Sequence, residues 1–251
     1  MGSQIMVQTG VLGNPALSRP AQEPAADSKP ISGAEAINCW IQYLMSGRHG
    51  GLEEMIQFLY GSHFFKPMHL RSELMVLGGI LEERRPVRVL EFGTGKGGAL
   101  FMLTHLAGRR STVVSVDLPE SKFGKSGYSP ERQWCYERFR KRGQKLQLIR
   151  ANSHLPWMPN RVKKSFGDQE IDFLLLDGDH RYAGVKEDFE TYGPMVRKGG
   201  LIAFHDIVDG NPEVVGGMPK FWREIKSQSR FSEIIENPNQ SGSGIGLLYV
   251  D

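Results

Sequence analysis

Residues 87–98 read Val87-Arg88-Val89-Leu90-Glu91-Phe92-Gly93-Thr94-Gly95-Lys96-Gly97-Gly98. The first six have the length and apolar content of a strand. The last six make a glycine-rich turn, where the backbone can bend sharply and approach a ligand closely. Ala99, Met102, Leu103 and Leu106 then repeat at helical spacing. Asp117 ends the next apolar run, 19 residues after Gly98. A carboxylate at that point can accept hydrogen bonds from both hydroxyls of a ribose.

The same alternation continues to the end of the chain. Thr112 to Val116, Leu146 to Ile149, Ile171 to Leu176, Leu201 to Phe204, Phe231 to Ile235 and Ile245 to Val250 read as further strands. Helix faces lie between several of them: Trp134, Cys135 and Phe139; Val185, Phe189, Tyr192 and Val196; Phe221, Trp222 and Ile225. Strands alternating with helices at this spacing predict a doubly wound α/β sheet, parallel in the main. Ligands of such sheets bind outside the carboxyl ends of the strands.

Upstream, residues 33–83 read as a helical extension. Ile37, Trp40, Ile41 and Leu44 form one face, and Leu70, Leu74, Leu77 and Leu81 another. Tyr60, Phe64, Phe65 and Met68 are either core between these helices or a lid. Residues 1–32 carry Pro15, Pro20, Pro24 and Pro30 without an apolar period, and are expected to be a disordered or loosely attached arm. The expected division is therefore 1–32, 33–83 and 84–251.

Composition sets bounds on function. The chain has 251 residues, 39% hydrophobic and 24% charged, enough to bury a sizeable core. Its 31 basic and 28 acidic residues leave +3, too balanced to imply a polyanion partner. The basic run Arg138, Arg140, Lys141, Arg142 and Lys145 reads as a solvated helix face. Two cysteines, Cys39 and Cys135, make no disulfide scaffold and suit a reduced, cytoplasmic setting. No apolar run reaches the roughly 18 residues of a membrane helix, and no secretory signal is visible. The 30 glycines are in excess, about 12% against a usual 7% or so, and several sit where strands end.

Two further motifs follow strands. Asp177-Gly178-Asp179-His180 ends the fourth and His205-Asp206 the fifth. In a doubly wound sheet these ends are neighbours on the ligand side. Carboxylates gathered there repel one another, and a divalent cation would relieve that. Oxygen ligands suit Mg²⁺, while an imidazole shifts preference toward Mn²⁺, Fe²⁺ or similar. The plainer reading is capping, with Asp179 as N-cap of the next helix. Residues Ser121 to Tyr128, rich in glycine and lysine, are a flap over the site or a plain surface loop.

The glycine loop itself fits two cofactors. Gly93, Gly95 and Gly98 match the dinucleotide fingerprint; Gly93, Gly95 and Gly97 behind Glu91 match its methyltransferase counterpart. A pyrophosphate favours helix N–H groups without a nearby acid. A sulfonium and an amino group favour an acid such as Glu91.

Together, Glu91 to Gly98, Leu176 to Tyr182 and Lys198 to Ile207 resemble class I S-adenosylmethionine-dependent methyltransferases over about residues 68–251. The likeness is to the branch with cephalosporin-hydroxylase-like proteins and metal-dependent macrolide sugar O-methyltransferases. It implies a Rossmann-like sheet of seven strands, mostly parallel with the last antiparallel. Glu91, Gly93, Gly95 and Gly97 would cradle the methionine part of the cofactor, beside Asp177. Asp117 would hold the ribose; Asn152 and Ser153 would flank the adenine. Asp177, His205 and Asp206 would bind Mg²⁺ or another divalent cation, with His205 where the macrolide enzymes carry Glu. His180 would be the general base, paired with Asp177.

The expected reaction is O-methylation of a small-molecule hydroxyl, on a sugar or natural product. Membranes and nucleic acid are set aside as partners; a homo-oligomer is compatible with the sequence. The competing readings are an NAD(P)-dependent oxidoreductase, for which Tyr182 and Lys186 have a suitable spacing, and a nucleotide-binding module without catalysis.

Overall fold

Every apolar run read as a strand from Val87 onward is one in the computed structural model, which describes residues 5–8, 51–62, 64–119 and 130–251. The strands are β1 (Ile5–Gln8), β2 (Arg88–Phe92), β3 (Thr112–Asp117), β4 (Lys145–Arg150), β5 (Ile171–Leu176), β6 (Val196–His205), β7 (Arg230–Ile235) and β8 (Ile245–Tyr249). They form one sheet in the order β1-β7-β8-β6-β5-β2-β3-β4. β8 runs antiparallel to both β6 and β7; the other pairings are parallel. The seven expected strands are thus present with the expected last antiparallel strand.

An eighth strand is added at the edge. β1 pairs in parallel with β7, Ile5 opposite Ser232 and Gln8 opposite Ile235. It falls within the segment expected to be a loose arm. Three apolar residues, Ile5 to Val7, are too short a run to stand out by periodicity. The rest of residues 1–32, the helix face from Ile37 to Leu44, and the flap from Ser121 to Tyr128 lie outside the described residues.

The helices are α1 (Leu52–Gly61), α2 (Arg71–Arg84), α3 (Gly98–Leu106), α4 (Pro130–Tyr136), α5 (Met158–Ser165), α6 (Tyr182–Tyr192), α7 (Pro212–Val215) and α8 (Met218–Lys226). They cover both faces of the sheet, which is why the central strands are apolar throughout. On one face Leu59, Phe65, Leu77, Phe101 and Phe139 pack against β2 and β5. On the other, Met158, Val162, Tyr192, Phe221 and Trp222 share a core with Leu90 of β2, Val114 of β3, Leu174 of β5 and Phe204 of β6. Asp172, a polar break in β5, is buried but satisfied. It accepts from the backbone of Val87 and Arg88 and pairs with Arg197 at 2.6 Å. Among the described residues, no helix is long and apolar enough to cross a membrane.

This order puts the carboxyl ends of β2, β3, β5 and β6 at one edge. The backbone ladder continues past them: Gly93 N–H donates to Val116 and Asp177 N–H to Phe92.

Candidate active site

The glycine loop is held against the end of β5. Gly93 has φ +89°, and a Cβ there would lie 2.0 Å from the carbonyl oxygen of Asp177. Only glycine permits both the conformation and the approach. Gly97 caps α3 at φ +81°, and a Cβ would meet the Tyr136 ring at 2.3 Å. Its lack of a side chain serves packing.

Two joined cavities open beside this loop, of about 270 and 430 Å³. Gly93, Asp117, Gly178, His180 and Val214 line both. Asp117 accepts from Gly95 N–H at 3.0 Å and from Leu118 N–H at 2.7 Å. Burial nevertheless raises its pKa above the usual value. Asn152 and Ser153 line the larger cavity, and the Tyr192 hydroxyl fixes their loop by donating to the Ser153 carbonyl at 2.6 Å. Gly93, Gly95, Asp117, Asn152 and Ser153 are therefore brought to one continuous space.

Glu91 and Gly97 line neither cavity. Glu91 is fully buried beneath the loop, where the Ser115 hydroxyl donates to it at 2.5 Å. Ser115 also bonds Thr94 Oγ1, which ties the loop to β3. Burial pushes the Glu91 carboxyl up to about 8, so it is mostly protonated at neutral pH. In the structure it supports the loop and is not a wall of either cavity.

The smaller cavity ends at a cluster of imidazoles and acids. Asp177 Oδ1 lies 3.3 Å from His180 Nε2 and 3.1 Å from His205 Nδ1. Burial would raise the Asp177 carboxyl, but His205 and His180 overcome it and hold the pKa well below the usual range. His180 Nδ1 donates to the Val214 carbonyl at 2.7 Å and faces Asp206 Oδ2 at 3.4 Å. Burial disfavours its charged form, yet its bond to Asp177 outweighs this and raises the pKa to about 9. His205 is likewise held charged, against burial, by Asp177. Asp206 sits at φ +59°, uncommon for a residue with a side chain, and accepts from Ser243 N–H at 3.1 Å. Of the expected metal residues, His205 Nδ1 lies 3.1 Å from Asp177 and 3.7 Å from Asp206, but the groups of three whose ligand atoms all come within 4.8 Å are His69, Asp177 and His205, and Asp177, His180 and Asp206.

Sequence reasoning missed two members. His69, just before α2, lies in the same cavity with Nε2 3.7 Å from Asp177 Oδ2. Its ring lies against that of His205, 3.9 Å between centroids and tilted by 31°. Burial, then the neighbouring His205, lower its pKa to about 4, so it is neutral. Glu73, on α2, is fully buried, accepts from Leu70 and Gly244 N–H groups, and faces His205 Nε2 at 3.6 Å. Neither lies in a motif; only the approach of α2 to β6 brings them in.

Other expectations resolve as structure. Asp179 binds the Arg181 backbone and guanidinium, and α6 begins at Tyr182 with Arg181 as N-cap. Asp179 is therefore not the N-cap. The Tyr182 hydroxyl donates to Glu224, and Lys186 pairs with Glu190 at 3.8 Å, so that pair serves the surface. Phe65 packs in the core with Phe58, Phe101 and Phe139, while Met68 is 57% exposed and lines the smaller cavity. In the basic run, Arg138 stacks on Trp134 and Lys141 donates to the His105 and Ala107 carbonyls.

Comparison with known proteins agrees with the fold. Residues 90–207 match a family model described as a methyltransferase domain. An uncharacterized protein, R132 of Acanthamoeba polyphaga mimivirus, is 25% identical over 207 residues, covering 77% of this chain and 87% of that protein. Among solved structures, an O-methyltransferase from Bacillus cereus, in complex with SAH, aligns with TM-score 0.54 at 16% identity. That alignment covers 86% of this chain and 97% of the other. MycE, a methyltransferase of the mycinamycin biosynthetic pathway solved with Mg and SAH, aligns with TM-score 0.50 at 15% identity. It covers 86% of this chain and 60% of MycE. Residues 90–207 thus match a methyltransferase domain, and the fold is the one these solved methyltransferases share.

Proposed function

We propose that the chain methylates a hydroxyl group of a small molecule, a sugar or natural product. The observation that carries this reading is the position of His180, which lines both cavities, beside Asp177, which lines the smaller one. The larger cavity suits adenosine, with Asp117 toward the ribose and Asn152 and Ser153 toward the adenine. Gly93 and Gly95 let the methionine part pass close to the backbone. The smaller cavity, about 270 Å³, has the size of a small acceptor.

The acceptor oxygen attacks the methyl carbon in line with the sulfur. The S–CH₃ bond breaks, its electron pair stays on sulfur, and S-adenosylhomocysteine leaves. The hydroxyl proton goes to His180. Because the sulfonium is already an activated leaving group, the protein mainly orients the acceptor and takes its proton. Asp177 holds His180 charged in the free protein, so His180 becomes a base only when that carboxylate is engaged elsewhere.

A divalent cation would be held at Asp177, whose ligand atoms come within 4.8 Å of those of His69 and His205 in one group and of His180 and Asp206 in another. When bound it would lower the pKa of the acceptor hydroxyl and draw on the Asp177 charge.

The test uses methyl-labelled S-adenosylmethionine with a panel of sugars, phenols and amines. Label in an alkali-stable ether supports the reading; label on amines alone overturns it. Melting-point shifts with S-adenosylhomocysteine and with NAD(P) check the cofactor separately.

A further inference from the structure

We propose that His69, His205 and Asp177 form a two-imidazole, one-carboxylate site for a transition-metal cation of the Mn²⁺, Fe²⁺, Co²⁺ or Zn²⁺ type, in preference to Mg²⁺. The proposal deepens the metal-assisted reading above and adds a ligand from outside the methyltransferase domain match. The ligand atoms of these three residues lie within 4.8 Å of one another. His69 and His205 are 4% and 3% exposed, and both line the smaller cavity. Neither ring nitrogen of His69 has a hydrogen-bond partner among the described residues, and its Nε2 lies 3.7 Å from Asp177 Oδ2. Buried polar atoms left in this way are rare and costly unless something else satisfies them.

The neighbouring triad of Asp177, His180 and Asp206 offers less. It has one imidazole against two, and His180 has hydrogen bonds at both nitrogens, to the Val214 carbonyl and Asp177, where His69 has none. The first triad also has the supports a metal imidazole uses. Glu73 faces Nε2 of His205 at 3.6 Å, leaving Nδ1 toward Asp177. Such a carboxylate fixes the ring and its tautomer. The Tyr60 hydroxyl donates to the His69 carbonyl at 2.6 Å and holds the segment before α2 in place. Glu73 pins α2 to the loop before β8 through Gly244.

Donor type decides the metal. Mg²⁺ takes oxygen ligands and keeps several waters, whereas imidazole nitrogen favours later divalent ions. Because His69 comes from the helical extension and the other ligands from β5 and β6, the cation would join the extension to the sheet at the acceptor side.

The experiment is Co²⁺ binding to the chelator-treated full-length protein. The expected result is one Co²⁺ per chain, visible ligand-field absorption, and two imidazoles in the X-ray absorption spectrum. His69→Gln should weaken Co²⁺ binding by at least about tenfold and remove one imidazole. Mg²⁺ in large excess should leave Co²⁺ in place. A single imidazole in the unaltered protein, an unchanged affinity in H69Q, or ready displacement by Mg²⁺ overturns the proposal. The spectrum of the unaltered protein needs no variant to fold, and a retained S-adenosylhomocysteine melting shift verifies H69Q. Failure of cofactor binding would sink the methyl-transfer reading and leave the Co²⁺ result legible.

Discussion

His180 stands with Nε2 3.3 Å from Asp177 Oδ1 while its other nitrogen is fixed on the Val214 carbonyl. The ring is thus oriented from both sides and cannot turn to serve packing. If it accepts the substrate proton, His180→Ala lowers kcat by roughly 10²–10⁴-fold. The affinity for S-adenosylhomocysteine should stay nearly unchanged, because the cavity floor is backbone at Gly93 and Gly178. Steady-state kinetics beside calorimetry distinguish the two. An equal loss in turnover and affinity would remove the base assignment.

Asp117 gives the opposite signature. Two backbone N–H groups already orient its carboxylate toward the space both cavities share. A hydrogen bond to a charged group contributes about 1.5–3 kcal/mol. Asp117→Ala should therefore weaken S-adenosylhomocysteine binding by about 10- to 100-fold, with kcat at saturating cofactor little altered. Calorimetric titration reads the first effect. Retained affinity would mean that the ribose is held elsewhere.

The sheet was readable because its central strands are buried on both faces and are apolar nearly throughout, as in Ile171 to Leu176. Asp177, His180, His205 and Asp206 were readable because they directly follow such strands. His69 and Glu73 were not. Glu73 meets Gly244 across 171 residues of sequence, and no local period encodes that contact. Helix α5 escaped for a related reason: only Met158 and Val162 on it are buried, too few to make a stripe. Glu91 was placed in the cofactor space by its position in the loop motif. Its actual direction depends on Ser115 of the next strand, which the motif does not contain.

Gly93 should tolerate no side chain. Its positive φ disfavours other residues, and a Cβ would overlap the Asp177 carbonyl, a backbone atom that cannot swing away. Strain of this kind costs on the order of 1–3 kcal/mol before any displacement of β5. Gly93→Ala should lower Tm by at least about 3 °C and impair cofactor binding as well. Thermal unfolding with and without S-adenosylhomocysteine measures both. A variant as stable as the parent would show that the loop can move off β5.

Glu91 makes the stability of the cofactor-free protein depend on pH. Its pKa is raised by burial from 4.5 to about 8 in the folded state. The folded chain then binds the proton more tightly than the unfolded chain does. The stabilisation is full below about pH 4.5, declines as pH rises toward 8, and is gone above that. Glu91→Gln keeps the shape and the acceptor for Ser115 but cannot ionise. Between pH 5 and 9 the parent should lose stability relative to E91Q, by an amount on the order of a few kcal/mol. Denaturant unfolding of both proteins across that range gives the difference directly. Parallel curves would mean that the Glu91 carboxyl is solvated in the folded chain, and that the loop does not rest on a neutral acid.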